Sequence, residues 1–124
     1  MKKILVVDDD VDMLNVVNLV LTHKGFIVKT TNRWQIISET IETFIPDLVL
    51  LDIDLGGADG GDICKKLKRS KATQHLPVIL FSALMPEDYF KACNAQGFLN
   101  KPFKPSELVE VIETQFELIS GISD

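Results

Sequence analysis

The sequence predicts an α/β fold, a doubly wound sheet of five parallel strands with five helices. Five short apolar runs recur between segments of helical length. Hydrophobicity is continuous within each run, which is typical of strands covered by helices on both faces. The intervening segments carry apolar residues at helical spacing. Alternation of strand and helix in this way favours a parallel sheet with right-handed crossovers.

The apolar runs predict strands over residues 4–7, 26–28, 48–51, 78–81 and 98–99. A fourth helix is expected over about 86–93, and a fifth begins near Pro105, because proline suits the first turn of a helix. The inward-facing residues predicted for the first, second, third and fifth helices are, in that order, Met13, Val16, Val17, Val20 and Leu21; Ile37, Ile41 and Phe44; Ile63 and Leu67; and Leu108, Val109, Ile112 and Phe116.

The length and composition indicate one globular domain. With 124 residues, 46% hydrophobic and 25% charged, the chain is the size of one compact domain. We expect this domain to cover residues 1–119, with 120–124 as a frayed tail or the start of a linker. No apolar run approaches the roughly 20 residues of a membrane span, and no signal peptide is evident, so we expect a cytoplasmic protein. The net charge of −5 argues against direct nucleic-acid binding.

Polar residues follow each strand that could border the crevice at the carboxyl edge of such a sheet, where ligands bind. They are Asp8, Asp9 and Asp10 after the first strand, Asp52 and Asp54 after the third, Ser82 (followed by Ala83) after the fourth, and Lys101 (followed by Pro102) after the fifth. Converging carboxylates repel each other unless a cation neutralises them. Mg²⁺, or Mn²⁺ with the same oxygen ligands, fits an aspartate cluster without histidine or thiolate.

Simpler structural roles compete for several of these residues. Asp10 is better explained as the N-cap of the first helix. Lys101 and Ser82 would each be unremarkable alone, and they gain interest only beside the aspartates. A glycine-rich segment over 56–61 fits neither common nucleotide-binding motif, so we expect a sharp turn into the third helix with Asp59 or Asp62 as its cap.

Four stretches resemble the receiver domain of bacterial two-component response regulators, and the resemblance covers residues 2 to about 118. They are Ile-Leu-Val-Val-Asp-Asp at 4–9, Pro-Asp-Leu-Val-Leu-Leu-Asp at 46–52, Ser-Ala at 82–83 and Lys-Pro-Phe at 101–103. Each motif alone is weak. Together they occur in the order and at the spacing of the family, which makes the match specific.

The resemblance implies a flavodoxin-like sheet of strand order 2-1-3-4-5 and a phosphoryl group accepted by Asp52. It also implies a cis peptide bond between Lys101 and Pro102. The roles that it implies for the remaining positions are metal binding by Asp8, Asp9, Asp52 and the backbone carbonyl of Asp54; phosphoryl binding by Ser82, Ala83 and Lys101; and switching by Ser82 and Phe98.

The implied partners are a sensor histidine kinase or histidine phosphotransfer protein and a downstream protein that binds the surface of residues 85–119. The resemblance leaves open a homodimer on phosphorylation. It implies a signalling domain rather than an enzyme, with phosphoryl uptake and slow self-dephosphorylation as its only chemistry. Mg²⁺ is the expected cofactor.

Two positions depart from the common family pattern, and one motif permits a rival function. Gly56 stands where the family usually has proline, and Asp54 adds a carboxylate two residues beyond the acceptor. Asp52-Ile53-Asp54 also matches the DxD motif of haloacid dehalogenase phosphatases. That motif normally ends the first strand of a larger domain, whereas here it ends the third, which favours the receiver. A degenerate receiver that only binds partners is disfavoured because the acceptor, metal, hydroxyl and lysine positions are all filled.

Overall fold

The computed structural model describes residues 1–83 and 87–121, which form one parallel sheet with helices on both faces. The strand order is β2-β1-β3-β4-β5, as expected. The strands are β1 Lys3–Val7, β2 Ile27–Thr31, β3 Leu48–Asp52, β4 Val78–Ser82 and β5 Gly97–Asn100. Every neighbouring pair is parallel. The predicted fold class is therefore confirmed.

Five α-helices lie within the described residues, and a 3-10 turn at Trp34–Ile36 precedes the second. They are α1 Val11–His23, α2 Ile37–Phe44, α3 Gly60–Arg69, α4 Glu87–Ala92 and α5 Pro105–Gly121. Because α5 continues to Gly121, residues 120 and 121 of the expected tail are helical, while 122–124 lie outside the described residues. Residue 86, where the fourth helix was expected to begin, also lies outside them. Across 1–83 and 87–121, no helix combines the length and apolar character that crossing a bilayer requires.

The sheet separates two apolar layers, because alternate residues of each strand point to opposite faces. One face packs against α1 and α5, through Ile4, Val6, Leu48, Leu50, Ile79, Phe81, Leu99, Leu14, Val17, Leu21, Leu108, Val109 and Ile112. The other packs against α2, α3 and α4, through Leu5, Val7, Val49, Leu51, Val78, Leu80, Ile37, Cys64, Leu67 and Cys93, with Tyr89 partly buried beside them. Both faces of the central strands are covered, as their continuous hydrophobicity predicts.

The inward face of α1 differs from its prediction at one position. Val16 is 53% exposed, whereas Leu14, which the predicted stripe omitted, is 5% exposed. Leu14, Val17 and Leu21 are spaced by three and four residues, and side chains at this spacing share one helix face. Val16 lies two residues from Leu14, which turns it about 200° around the axis to the solvent side. The prediction for Val16 was wrong.

Strand β2 also extends further than predicted, over Ile27–Thr31 rather than 26–28. Within the described residues it is an edge strand, paired with β1 alone, and Ile27 is exposed. The second half of the strand is Lys-Thr-Thr, which an apolar-run criterion excludes. An edge strand needs no second apolar face, so its sequence does not carry the signal that identifies the central strands.

The register of the sheet brings the carboxyl ends of four strands to one edge. Val7 pairs with Leu51, and Asp52 pairs with Phe81 on the next strand. Ser82 in turn pairs with Asn100. The residues that follow these pairs therefore meet at the same edge.

Candidate functional site

Three aspartates form an acidic cluster at the carboxyl edge of the sheet. One carboxylate oxygen each from Asp8, Asp9 and Asp52 lies within 4.8 Å of the others. Asp8 is fully buried and Asp52 is 4% exposed, whereas Asp9 faces solvent. Two buried carboxylates therefore lie beside one that is exposed to solvent. Such an arrangement can exchange a small cation with solvent.

The first turn of α1 holds Asp8 in place. The backbone N–H of Asp10 donates to Asp8 Oδ1 at 3.0 Å. Asp10 itself is the N-cap of α1, and its Oδ1 accepts from the backbone N–H groups of Asp12 at 3.0 Å and Met13 at 3.3 Å. The expected capping role of Asp10 is confirmed, and Asp8 and Asp9 remain as the pair that faces the crevice.

Lys101 supplies the positive charge of the cluster. Its Nζ lies 2.9 Å from Asp8 Oδ2 and 3.4 Å from Asp52 Oδ2. The same ammonium group lies 4.7 Å from the centre of the Phe81 ring. The backbone N–H of Lys101 donates to the Ser82 carbonyl at 2.7 Å, which continues the β4–β5 ladder beyond its last pair. The peptide bond between Lys101 and Pro102 is cis.

Burial and charge perturb the protonation of these groups. Burial, reinforced by the Asp8 charge, raises the pKa of Asp52 to about 7 even though Lys101 lowers it. Burial also raises the pKa of Asp9, with contributions from Asp8 and Asp54. Burial lowers the pKa of Lys101, but its contacts with Asp8 and Asp52 outweigh this, so the net pKa is raised. The positive charge of Lys101 therefore neutralises only part of the negative charge of the three aspartates.

The donor set fits a hard divalent cation. The cluster offers carboxylate oxygens from three residues and no thiolate or imidazole. Mg²⁺ prefers oxygen ligands, and typical Mg²⁺ sites combine one or two carboxylates with water and a phosphate. The exposed position of Asp9 leaves room for such water. The cluster is therefore compatible with the expected Mg²⁺.

A tight hairpin follows Asp52 and carries Asp54. The backbone N–H of Asp54 approaches Asp52 Oδ1 at 3.4 Å, and Asp54 Oδ1 accepts from the Gly56 N–H at 3.3 Å. The hairpin is closed by the Leu55 N–H, which donates to the Ala58 carbonyl at 3.2 Å. Gly56 has φ +69°, which proline cannot adopt. Glycine at position 56 therefore gives this loop a backbone conformation that the proline usual in the family could not adopt.

The hairpin leads directly into α3, whose first turn packs against Asp52. Asp59 is the N-cap, and its Oδ1 accepts from the Gly61 N–H at 2.7 Å. The Gly60 N–H donates to the Ile53 carbonyl at 2.7 Å. A β-carbon at Gly60 would overlap the Asp52 carbonyl oxygen and come within 2.9 Å of Ile53 Cα. The missing side chain at Gly60 thus permits the close approach of α3 to the acidic site. The sequence predicted only a sharp turn at this glycine-rich segment.

Ser82, Ala83 and Phe98 lie on the last two strands. Ser82 ends β4 and is half-buried, and Ala83 follows it in an exposed position. Phe98 is half-buried on β5, where it pairs with Leu80. Since Leu80 and Ser82 are two residues apart on one strand, Phe98 and Ser82 belong to the same face of the sheet.

Two aromatic residues near the site carried no sequence signal. Trp34 lies beside the hairpin, because a β-carbon at Gly57 would be 3.5 Å from its Nε1. The Tyr89 hydroxyl on α4 donates to Asp59 Oδ1. Both residues are distant in sequence from the residues they approach, Gly57 and Asp59. Only the packing of the helices on the sheet reveals them.

Sequence comparisons agree with this geometry. The family model of the response regulator receiver domain matches residues 4–113. The regulatory protein PhoP of alkaline phosphatase synthesis in Bacillus subtilis is 32% identical over an alignment of 111 positions that covers 86% of this chain and 45% of that protein. The phosphate regulon regulatory protein PhoB of Escherichia coli is 33% identical over an alignment of 125 positions that covers 98% of this chain and 55% of that protein. The chain spans about half the length of these relatives.

Solved structures show the same fold. A response regulator from Chloroflexus aurantiacus, described as putative, superposes with a TM-score of 0.85 at 28% identity, over 91% of this chain and 95% of that chain. NtrX from Brucella abortus superposes with a TM-score of 0.85 at 32% identity and covers 100% of this chain, which matches 29% of the NtrX chain.

Proposed function

This chain belongs to the family of response regulator receiver domains, and on that premise we propose that Asp52 accepts a phosphoryl group in a Mg²⁺-dependent reaction. The observation that carries the proposal is the nearly buried Asp52, with Asp8, Asp9 and Lys101 gathered around it. A carboxylate beside so much negative charge attacks a phosphoryl group only when that charge is neutralised.

The residues around Asp52 divide this work. Asp8, Asp9, Asp52 and the backbone carbonyl of Asp54 would hold Mg²⁺, which supplies charge neutralisation when bound. Lys101 leaves its contacts with Asp8 and Asp52 to bind a phosphoryl oxygen as a charged donor.

The hydroxyl of Ser82 and the backbone N–H of Ala83 bind further phosphoryl oxygens. The new dianion on Asp52 draws Ser82 inward, and Phe98, on the same face of the sheet, moves with it. A charge change at the sheet edge thereby alters the surface of residues 85–119, of which 85 and 86 lie outside the described residues.

The partners follow from the same chemistry. The phosphoryl donor is a sensor histidine kinase or a histidine phosphotransfer protein, and we place the exchange in the cytoplasm. The output is a protein target that binds the switched surface, or a second copy of the chain in a phosphorylation-dependent homodimer. The relatives include a protein described as a DNA-binding response regulator. For this chain, with its net charge of −5, we propose no direct nucleic-acid contact.

The chain acts as a signalling domain, and we propose no catalytic turnover beyond its own phosphorylation and slow dephosphorylation. The haloacid dehalogenase alternative receives no support from the family match. Its DxD reading of residues 52–54 also lacks the expected placement, because Asp52 ends β3 rather than the first strand.

Intact-mass measurement with Mg²⁺ and a small acyl phosphate tests the proposal. We expect the wild-type chain to gain the mass of one phosphoryl group and Asp52→Asn to gain none. Asp54→Asn at saturating Mg²⁺ is the matched control, because it removes a carboxylate from the same loop and keeps both the acceptor and the backbone carbonyl of residue 54. An adduct on Asp52→Asn, or an equal yield in excess chelator, would refute the assignment.

A further inference from the structure

We propose that the Tyr89 hydroxyl couples α4 to the acidic site through Asp59, so that a ligand at this site changes the exposure of α4. The proposal rests on the function proposed above, which makes the acidic site the place where Mg²⁺ and the phosphoryl group bind. Tyr89 acts as a positioning residue and contacts neither of them.

The contact begins at the N-cap of α3. The Tyr89 hydroxyl donates to Asp59 Oδ1, and the same oxygen accepts from the Gly61 N–H at 2.7 Å. One carboxylate oxygen thus holds the start of α3 and the middle of α4 together. Hydrogen bonds to an ionised acceptor are stronger than those between neutral groups, which suits a lasting tie between two helices.

The packing around Tyr89 is fitted to this bond. A β-carbon at Gly61 would overlap the Tyr89 hydroxyl and lie 2.9 Å from Cys93 Sγ. The Tyr89 side chain therefore crosses the first turn of α3 at a place where any other residue would displace it. Lys65 on α3 adds a charge 5.8 Å from the centre of the ring. Burial and the Asp59 contact raise the pKa of Tyr89, so the hydroxyl remains a donor at neutral pH.

Backbone contacts continue from Asp59 to the acidic site. Asp59 forms a bridge with Asp54, whose carbonyl is a proposed metal ligand. The next residue, Gly60, donates to the Ile53 carbonyl at 2.7 Å and approaches the Asp52 carbonyl too closely to admit a side chain. Any displacement of Asp54 on ligand binding is therefore transmitted to Asp59, and from there to Tyr89.

This route is separate from the one through Ser82 and Phe98. Those residues act on β4 and β5, whereas Tyr89 links the hairpin at 54–59 and the start of α3 to α4, on the same face of the sheet. Coupling between two sites is reciprocal for equilibrium binding. A partner that binds α4 would therefore change the Mg²⁺ affinity of the acidic site through the same hydroxyl.

Tyr89→Phe isolates the hydroxyl, because the ring and its Lys65 contact remain. Asp59→Asn is the matched control, since the amide oxygen can still cap α3 and accept from Tyr89. Amide hydrogen exchange without ligand forms the first arm. We expect exchange in residues 87–92 to be about threefold faster in Tyr89→Phe, with β1 and β3 unchanged. Asp59→Asn should lie between the two, because its neutral amide oxygen still accepts from Tyr89 but more weakly than the carboxylate. Wild-type exchange in Tyr89→Phe would overturn the proposal, whether or not Asp52 is phosphorylated.

The second arm adds Mg²⁺ alone, and then Mg²⁺ with the acyl phosphate, with the adduct followed by intact mass. In the wild type, the hairpin at 54–59 and α4 should change protection together. In Tyr89→Phe the adduct should form and the hairpin should respond, while the change in α4 falls to less than about half. An undiminished α4 response would overturn the coupling. Failure of wild-type Asp52 to gain an adduct would refute the proposed function instead. The measurement without ligand would still show whether the Tyr89–Asp59 hydrogen bond holds α4 in place.

Discussion

Replacing Lys101 by methionine should tighten Mg²⁺ binding at high pH. The Lys101 Nζ lies 2.9 Å from Asp8 Oδ2 and 3.4 Å from Asp52 Oδ2, so it competes with a cation for the same oxygens. A unit charge about 6 Å from a divalent ion repels it by ~1.4 kcal/mol at a dielectric constant of roughly 80. This corresponds to about tenfold in affinity, and an ionic strength of about 0.1 M reduces the energy to roughly half.

The pH dependence of this effect has a definite sign. Metal binding requires ionised carboxylates, and the pKa of Asp52 is raised to about 7, so wild-type affinity should rise as the pH increases through this value. Lys101 lowers the pKa of Asp52, and its removal therefore moves the midpoint of this rise upward. At about pH 9, two units above that value, most of the wild-type Asp52 is ionised and the lost repulsion dominates. Near pH 7 protonation offsets part of the gain.

Calorimetric Mg²⁺ titration at about pH 7 and about pH 9, in low salt, measures both effects. Lys29→Met is the control, because it removes the same charge from an exposed position on β2. We expect the ratio of variant to wild-type affinity to rise with pH for Lys101→Met and to stay near one for Lys29→Met. Weaker binding by Lys101→Met at about pH 9 would refute this reasoning, because it would mean that the lysine organises the carboxylates rather than opposing the metal.

Three further outcomes are expected. Leu14→Ala should lower the free energy of unfolding by about 2 to 5 kcal/mol and Val16→Ala by less than about 0.5 kcal/mol, because of the two only Leu14 is buried. Urea denaturation measures both, and equal losses would contradict the described inward face of α1. Gly60→Ala should destabilise the protein by about 1 to 3 kcal/mol while Gly57→Ala is tolerated, since only a β-carbon at position 60 would overlap backbone atoms. Similar urea midpoints for the two variants would disprove the close approach of α3 to Asp52. Asp54→Asn should weaken Mg²⁺ binding in low-salt calorimetry by up to about tenfold, because the variant removes a negative charge near the metal; unchanged affinity would show that this charge is incidental.

The fold class was predictable because it depends on local and periodic signals, whereas the strand order was implied by the family resemblance. Continuous apolar runs identified all five strands, although β2 was predicted too short, and the acidic and basic residues that follow the strands identified the crevice edge. Asp10 as a helix cap was predictable for the same reason, since a cap acts on N–H groups two and three residues away. The roles of Asp52, Lys101 and Ser82 in phosphoryl transfer stay predictions.

Periodicity alone was insufficient where the packing of an element against its neighbours determines which of its residues are apolar. Val16 satisfies a helical apolar pattern as well as Leu14 does, and only the position of the sheet shows which one is covered. Likewise, β2 was shortened in prediction because an edge strand tolerates polar residues that a central strand excludes.

The sequence by itself determined the parallel sheet and the set of charged groups at its carboxyl edge, because these follow from chain-local patterning. The strand order was implied by motifs that resemble those of the receiver family. Tertiary structure alone decided how those groups interact. It placed Lys101 between Asp8 and Asp52, removed Asp52 from water so that its pKa is raised to about 7, and brought Tyr89 onto Asp59. These distances and dielectric surroundings arise between residues 30 to 93 positions apart, so no local pattern could encode them.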